Sequence, residues 1–268
     1  MNDRKGGWYW IRRVWATLGI LALLGFAGWS FVAYRASGDA RMALVSDDTV
    51  GVVRGGHHWL LAPMNTSTQK VALLFFPGAL VEPAAYGPLL RKIALAGYTV
   101  LLVEVPHRGA FGGADGAAVI SRARLAMLGV SGVSEWVIAG HSRGGAVAAR
   151  FVRESPAGVR ALILVGTSHP RDFSLAESTL SVTKILGTRD GVAPLEKSED
   201  NRHLLPARSR WVLIEGGNHS QFGSYGFQPG DHFASIDRDL QQRLTSKAIV
   251  DALESVARGN TSANKAIK

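Results

Sequence analysis

Three observations predict an α/β protein with a mainly parallel sheet of eight strands, preceded by one membrane-spanning helix. Apolar, β-branched runs alternate with stretches of helical periodicity along most of the chain. Two of those runs, 71–76 and 161–165, are apolar throughout, as expected of strands covered on both faces of a parallel sheet. Ahead of them, Val14–Tyr34 is a stretch of 21 residues without a charge. The composition, 47% hydrophobic and 19% charged over 268 residues, suits one large or two small packed domains and excludes wholesale disorder.

As a helix, Val14–Tyr34 spans roughly 30 Å, the thickness of a bilayer's hydrocarbon core. Trp8, Tyr9, Trp10 and Trp15 crowd one end and Trp29, Phe31 and Tyr34 the other, at the headgroup levels that amphipathic rings favour. Arg4, Lys5, Arg12 and Arg13 precede the span. Arg35 and Arg41 follow it, diluted by Asp39, Asp47 and Asp48. Positive charge stays cytoplasmic, so segment 1–13 is expected inside the cell and the remainder of the chain outside. The small residues Ala36-Ser37-Gly38 offer a cleavage site, but a signal peptide's apolar region runs to only about 7–15 residues. The expectation is an uncleaved anchor over 14–34.

Residues 35–48, polar and rich in Gly, Ser and Asp, read as a linker. Strands are expected at Thr49–Arg54, His57–Ala62, Lys70–Phe76, Tyr98–Val103, Ser134–Ala139, Arg160–Val165, Val182–Leu186 and Trp211–Ile214. The first two, joined near Gly55-Gly56, read as an antiparallel hairpin. Helices are expected at Tyr86–Ala96, Gly116–Leu128, Arg143–Glu154, Pro194–Leu204 and Ile236–Arg258, flanking the sheet on both faces. In the last, Ile236, Leu240, Leu244, Ile249, Leu253 and Val256 recur at helical spacing, and Asp237 and Asp239 favour its positive end. The folded domain is thus expected over 49–258, with a polar tail at 259–268.

The net charge of +9 includes four units from the first 41 residues, and the rest is scattered. Without a clustered basic face or a recognition motif, nucleic acid is not an expected partner. The absence of cysteine excludes disulfides, thiol nucleophiles and cysteine metal sites.

Chemistry concentrates at Gly140-His141-Ser142-Arg143-Gly144, a G-x-S-x-G pattern. The strand 136–139 runs straight into it, and a helix of small residues leaves it. A nucleophile elbow needs that strand–turn–helix setting, with glycines where a Cβ would clash. A serine hydroxyl also needs a general base oriented by a carboxylate, and here both should follow it in the chain, acid first. Asp190 lies just beyond the strand 182–186, and His219 just beyond 211–214, where open α/β sheets build their sites.

Other candidates fit less well. Asp172 precedes its strand and Asp200 falls inside a helix. His57 and His58 belong to the hairpin, His107 follows the fourth strand, His141 is the variable position of the elbow, and His169 precedes the acid. His232 is the competing histidine, on the same loop as His219. For the oxyanion hole, the N–H of Arg143 should supply one donor and the loop Phe76–Leu80 the other, at Ala79 or, one residue on, Leu80.

Over roughly Thr49–Arg258 the chain resembles the α/β hydrolases, in particular the compact group related to dienelactone hydrolases. The resemblance rests on the elbow, on Phe76-Pro-Gly-Ala-Leu-Val-Glu-Pro83 with Tyr86, and on Gly216-Gly-Asn-His-Ser-Gln-Phe-Gly223 continuing through Tyr225, Gln228, Gly230 and Asp231. It implies the α/β-hydrolase fold, and it places Gln221, Tyr225 and Asp231 in or around the site. The loop Glu104–Gly113 is more charged than the resemblance leads one to expect. Residues 166–181 are too few for the lid domain that many relatives insert, so the site is expected to be open, without deep burial of a long acyl chain.

The expected function is cleavage of an ester or related acyl bond in a small-molecule substrate through an acyl-enzyme, without a metal or organic cofactor. Thioesterase, amidase and lactonase activities belong to the same reading. A membrane-tethered, non-catalytic binding protein on the same fold is the alternative from a different class.

Overall fold

The computed structural model describes residues 3–65, 69–154 and 157–266. The chain runs α1 (Asp3–Ala33), α2 (Gly38–Met42), β1 (Val50–Arg54), β2 (His58–Pro63), β3 (Val71–Phe76), α3 (Gly87–Leu95), β4 (Thr99–Val103) and α4 (Ala117–Leu128). It continues through β5 (Glu135–His141), α5 (Arg143–Glu154), β6 (Val159–Val165), β7 (Ser181–Gly187), α6 (Leu195–Asp200), β8 (Arg210–Ile214) and α7 (Arg238–Ala266). Single 3₁₀ turns at Pro83–Tyr86, Pro106–Gly109, Arg202–Leu204 and Ser220–Phe222 connect them.

The eight strands form one sheet in the order β1-β2-β4-β3-β5-β6-β7-β8. β1 and β2 pair antiparallel, as do β2 and β4, and every later pairing is parallel. Side chains of β3 alternate between the two faces. Val71, Leu73 and Phe75 join the core beneath α3 and α7, whereas Ala72, Leu74 and Phe76 join the core beneath α4 and α5. All six are buried, which is why this strand reads as an unbroken apolar run. The loops leaving the carboxyl ends of β3, β5, β7 and β8 therefore gather along one edge of the sheet.

Each expected strand and helix of the domain is present, with ends shifted by a few residues. Two segments differ from expectation. Residues 35–48 do not form a free linker: Ala36, Ala40 and Leu44 are buried in the core that contains α3 and α7. Ser37 caps α2 by accepting the N–H of Ala40. Only Ala40 lies within the short α2, with Ala36 and Leu44 just outside it, so no helical periodicity marks the packing among the surrounding Gly, Ser and Asp. The last helix, for its part, continues to Ala266, eight residues past its expected end at Arg258. Helical hydrogen bonds are local and need no buried face, and no proline interrupts the segment. Of segments 1–13 and 259–268, residues 1–2 and 267–268 lie outside those described.

α1 is the one described helix long and apolar enough to cross a membrane, over Gly7–Ala33, and none of its most apolar stretch is buried by the domain. Length and composition make it a candidate span, and a signal sequence would meet the same criteria.

The docking of 36–44 has a measurable consequence at Gly87, where an added Cβ would lie 2.5 Å from the carbonyl oxygen of Ala40 and 3.2 Å from Leu44. Gly87→Ala should destabilise the domain by about 1–3 kcal/mol through overpacking. The check is a chemical denaturation midpoint, and an unshifted midpoint would show that residues 36–44 do not pack there.

Candidate active site

Ser142 sits between the end of β5 and the start of α5 with φ of +55°, a left-handed conformation that a non-glycine residue adopts only when its surroundings compel it. The compulsion comes from close backbone approach. A Cβ on Gly140 would lie 2.1 Å from the carbonyl oxygen of Gly144, and one on Gly144 would lie 2.2 Å from that of Phe76. Gly145 is equally tight, 2.6 Å from a Thr167 methyl. Glycine at these positions lets α5 start directly beneath β3, and the turn in between holds the serine clear of the sheet.

Asp190 and His219 are both buried and meet on loops beyond β7 and β8, with Nδ1 of His219 2.8 Å from Oδ2 of Asp190. The other carboxylate oxygen accepts the N–H groups of Val192 and Ala193 at 2.9 and 2.6 Å. Both oxygens are thus held, and the carboxylate draws the imidazole proton to Nδ1. Nε2 is left as the basic nitrogen. It is buried and has no hydrogen-bond partner among the described residues, Ser142 Oγ included. The ring of His141, the residue before the serine, lies 4.5 Å from that of His219, centroid to centroid, so the elbow and the histidine loop are in contact.

Asp231 braces this arrangement. Its Oδ1 accepts the N–H groups of Gly191, His219 and His232, and its Oδ2 accepts the N–H and hydroxyl of Ser220. One buried carboxylate therefore ties the acid's loop to the histidine's loop. Gln221 donates through its side chain to the carbonyl of Ile236, and Tyr225 donates to Gln228 and stacks on Tyr34, so both hold the loop. The competing side chains of His232, His107, Asp172 and Asp200 are exposed.

The N–H of Arg143 opens α5 and has no helical acceptor. In the loop after β3, the N–H of Leu80 donates to the carbonyl of Arg108 at 2.6 Å, which removes Leu80 as an oxyanion donor. The N–H of Ala79 has no such partner among the described residues. Leu80, at φ of +65°, turns the chain back after it.

Sequence reasoning passed over a second polar chain beneath this loop. The Tyr86 hydroxyl accepts the N–H of Gly78 at 2.9 Å and lies 2.7 Å from Nδ1 of His141. Since the hydroxyl accepts from Gly78, its own proton goes to Nδ1, and His141 is neutral with its proton on Nε2. Burial, followed by the neighbouring His219, pushes the His141 pKa well down, and burial pushes that of the Tyr86 phenol up. Both therefore stay uncharged near neutral pH. Tyr86 appeared in the sequence only as part of the resemblance, and His141 as a variable position; no spacing rule pairs residues 55 apart.

The charged loop after β4 also has a structural role. Asp115 pairs with the Arg143 guanidinium, and Arg150 donates to the carbonyls of Asp115 and Gly116 at 2.6 and 3.0 Å. These contacts pin the loop to α5. A cleft of about 520 Å³ opens beside Arg143, lined also by Asp115, His169 and Phe173. Among the described residues, no group of three or more His, Asp or Glu is placed to hold a metal ion.

Comparison with known proteins agrees with this architecture. A family model described as alpha/beta hydrolase family matches residues 72–243, and the chain belongs to that family. Its fold is shared by a CIB-like hydrolase from Thermoplasma acidophilum (TM-score 0.56, 17% identity, covering 76% of this chain and 98% of that one). A dienelactone hydrolase-like promiscuous phosphotriesterase from metagenomic libraries is similar at TM-score 0.56 and 16% identity, covering 77% and 96%. So is Est1E from Butyrivibrio proteoclasticus, at 0.56 and 12%, covering 77% and 99%. No curated protein matches the sequence. Family and fold together support a hydrolase.

Tyr86→Phe would leave the Gly78 N–H and the His141 Nδ1 buried without partners. The expected cost is about 1–3 kcal/mol of folding stability, read as a lowered denaturation midpoint. An unchanged midpoint would refute the hydrogen-bonded chain.

Proposed function

We propose that the chain is a serine hydrolase that cleaves an ester or related acyl bond through an acyl-enzyme. The observation that supports it best is the His219 imidazole, fixed through Nδ1 on Asp190, with a buried Nε2 that has no partner among the described residues, on a loop that meets the elbow of the strained Ser142 through His141. Ser142 Oγ attacks the acyl carbon while Nε2 takes its proton. The oxyanion is held by the N–H groups of Arg143 and Ala79, and the imidazolium then protonates the leaving alcohol. Water, activated by the same nitrogen, releases the acid and restores the serine. Asp190 orients the ring and stabilises its charge throughout. Thioesters and lactones would follow the same steps. Residues 166–180 between β6 and β7 form no helix, so the site has no lid there.

The second part of the proposal is that α1 is an uncleaved anchor with segment 1–13 in the cytoplasm and the domain outside it. The flanking charges support this orientation. The contacts of residues 36–44 with the core support retention, because cleavage near Ala36 would cut next to residues that the domain buries.

Ser142→Ala should abolish fluorophosphonate labelling and lower kcat by roughly 10⁴–10⁶, as expected for loss of a triad nucleophile, while the denaturation midpoint is retained. Labelling that persists at another serine would sink the assignment. Protease added to intact spheroplasts should digest the domain while cytosolic markers survive, and the mass of the detergent-extracted protein should still include Trp8 and Trp10. A domain protected until the membrane is broken would overturn the orientation, and a mature N-terminus near Asp39 would overturn the anchor.

A further inference from the structure

The end of α1 is built into the candidate active site. The carbonyl of Ala33 accepts the N–H of Gly226 at 2.7 Å, and that of Tyr34 accepts the N–H of Glu82 at 2.9 Å. Just beyond, the N–H of Ser37 donates to the carbonyl of Ser224 at 2.9 Å, and that of Ala36 to the Glu82 carboxylate at 2.9 Å. Glu82 lies three residues after Ala79, and Ser224 and Gly226 follow His219 on its loop. The Tyr34 and Tyr225 rings stack, with centroids 6.1 Å apart. A Cβ on Gly226 would lie 2.9 Å from the Ala33 carbonyl oxygen, so the histidine loop touches the helix backbone itself.

Above this junction lies a groove of about 530 Å³. One wall is the end of α1, with Ala27, Ser30 and Phe31, together with Tyr34 just beyond it. The other is the domain, with Leu80, Arg108 and Phe111. Phe111 is 98% exposed and Leu80 45% exposed, unusual for apolar side chains on loops held by so many polar contacts. Phe111 also adopts φ of +49°, in the left-handed region.

Depth decides what such a groove can hold. Ala27 lies seven residues before Tyr34, about 10 Å along the helix axis. The headgroup layer of one leaflet is only about 5–8 Å thick. With α1 as a membrane span and Tyr34 at the headgroup level, the Ala27 end of the groove reaches the acyl chains. Leu80, on its domain wall, directly follows Ala79 in the chain.

We infer that the groove admits the acyl chain of an amphiphilic ester dissolved in the bilayer and delivers its carbonyl to Ser142 from the membrane side. This rests on the readings of Ser142 as nucleophile and α1 as a span. It also removes the need for a lid: a chain lying between α1 and Phe111, with the bilayer around it, does not require a deep pocket in the protein.

The test uses the full-length chain in phosphatidylcholine vesicles, with p-nitrophenyl acetate in the water and p-nitrophenyl palmitate in the bilayer. Ala27→Trp fills the groove from the helix side and keeps the span apolar. Phe111→Asn removes the opposite wall with a residue that tolerates positive φ. Neither touches Ser142, His219 or Asp190. Each variant should lower palmitate hydrolysis by roughly tenfold, equivalent to about 1.4 kcal/mol in transition-state binding, and leave acetate hydrolysis within about twofold. Palmitate rates unchanged in both variants would overturn the proposal, as would equal losses on both esters in both. A native chain that cleaves acetate but not palmitate would overturn it while leaving the serine-hydrolase reading intact. A chain that cleaves neither would fail that reading first, and one that does not float with the vesicles would fail the anchor.

Discussion

The first turn of α5 approaches the end of β3 more closely than any side chain would allow. With a Cβ on Gly144, contacts of 2.2 and 2.4 Å to the carbonyl oxygens of Phe76 and Pro77 would force the two apart. That approach sets the distance between the elbow and the loop Pro77–Leu80, and hence between the Arg143 and Ala79 N–H groups. It also fixes where the serine must turn, since Gly140 on the other side of the elbow is pressed against the carbonyl of Gly144. The left-handed backbone at Ser142 is the geometric remainder of these two contacts.

Around that point the protein uses two histidines in opposite ways. His219 is fixed by a carboxylate, which leaves Nε2 basic. His141, 4.5 Å away, is fixed by a phenol, which keeps it neutral. A second carboxylate beneath His141 would favour a second imidazolium against His219, and two adjacent cations in a buried site would repel. The neutral phenol supplies orientation without charge. Asp231 contributes in another manner, accepting five hydrogen bonds from three loop segments, so that its own charge is consumed in bracing rather than in chemistry.

Much of this was legible in the sequence because it is local. Fully apolar runs mark β3 and β6, and the elbow is written in five consecutive residues whose glycines have a steric reason. Asp190 and His219 stand out as candidates because each follows a strand directly, and the sheet's topology brings strand ends together. What escaped is non-local or sparsely written. The Tyr86–His141 bond joins residues whose proximity depends on how β3 and β5 pair. Nothing in the sequence shows that the Arg108 carbonyl engages the Leu80 N–H, because the two lie on different loops. Residues 36–44 bury only three small side chains, too weak a pattern beside their polar neighbours to read as packed. The role of Asp231 arises from where five donors converge, which one chain position cannot announce.

The junction after α1 differs in kind from a leash. A flexible connection of n residues lets its domain wander over a distance that grows as about the square root of n. Here the handover from Ala33 to Ser37 is spoken for by backbone hydrogen bonds to Glu82, Ser224 and Gly226. No slack remains between helix and domain, so rotating or tilting one turns the other with it. The orientation of the candidate site is then a property of the helix axis, inherited at the moment the chain folds rather than found by diffusion afterwards.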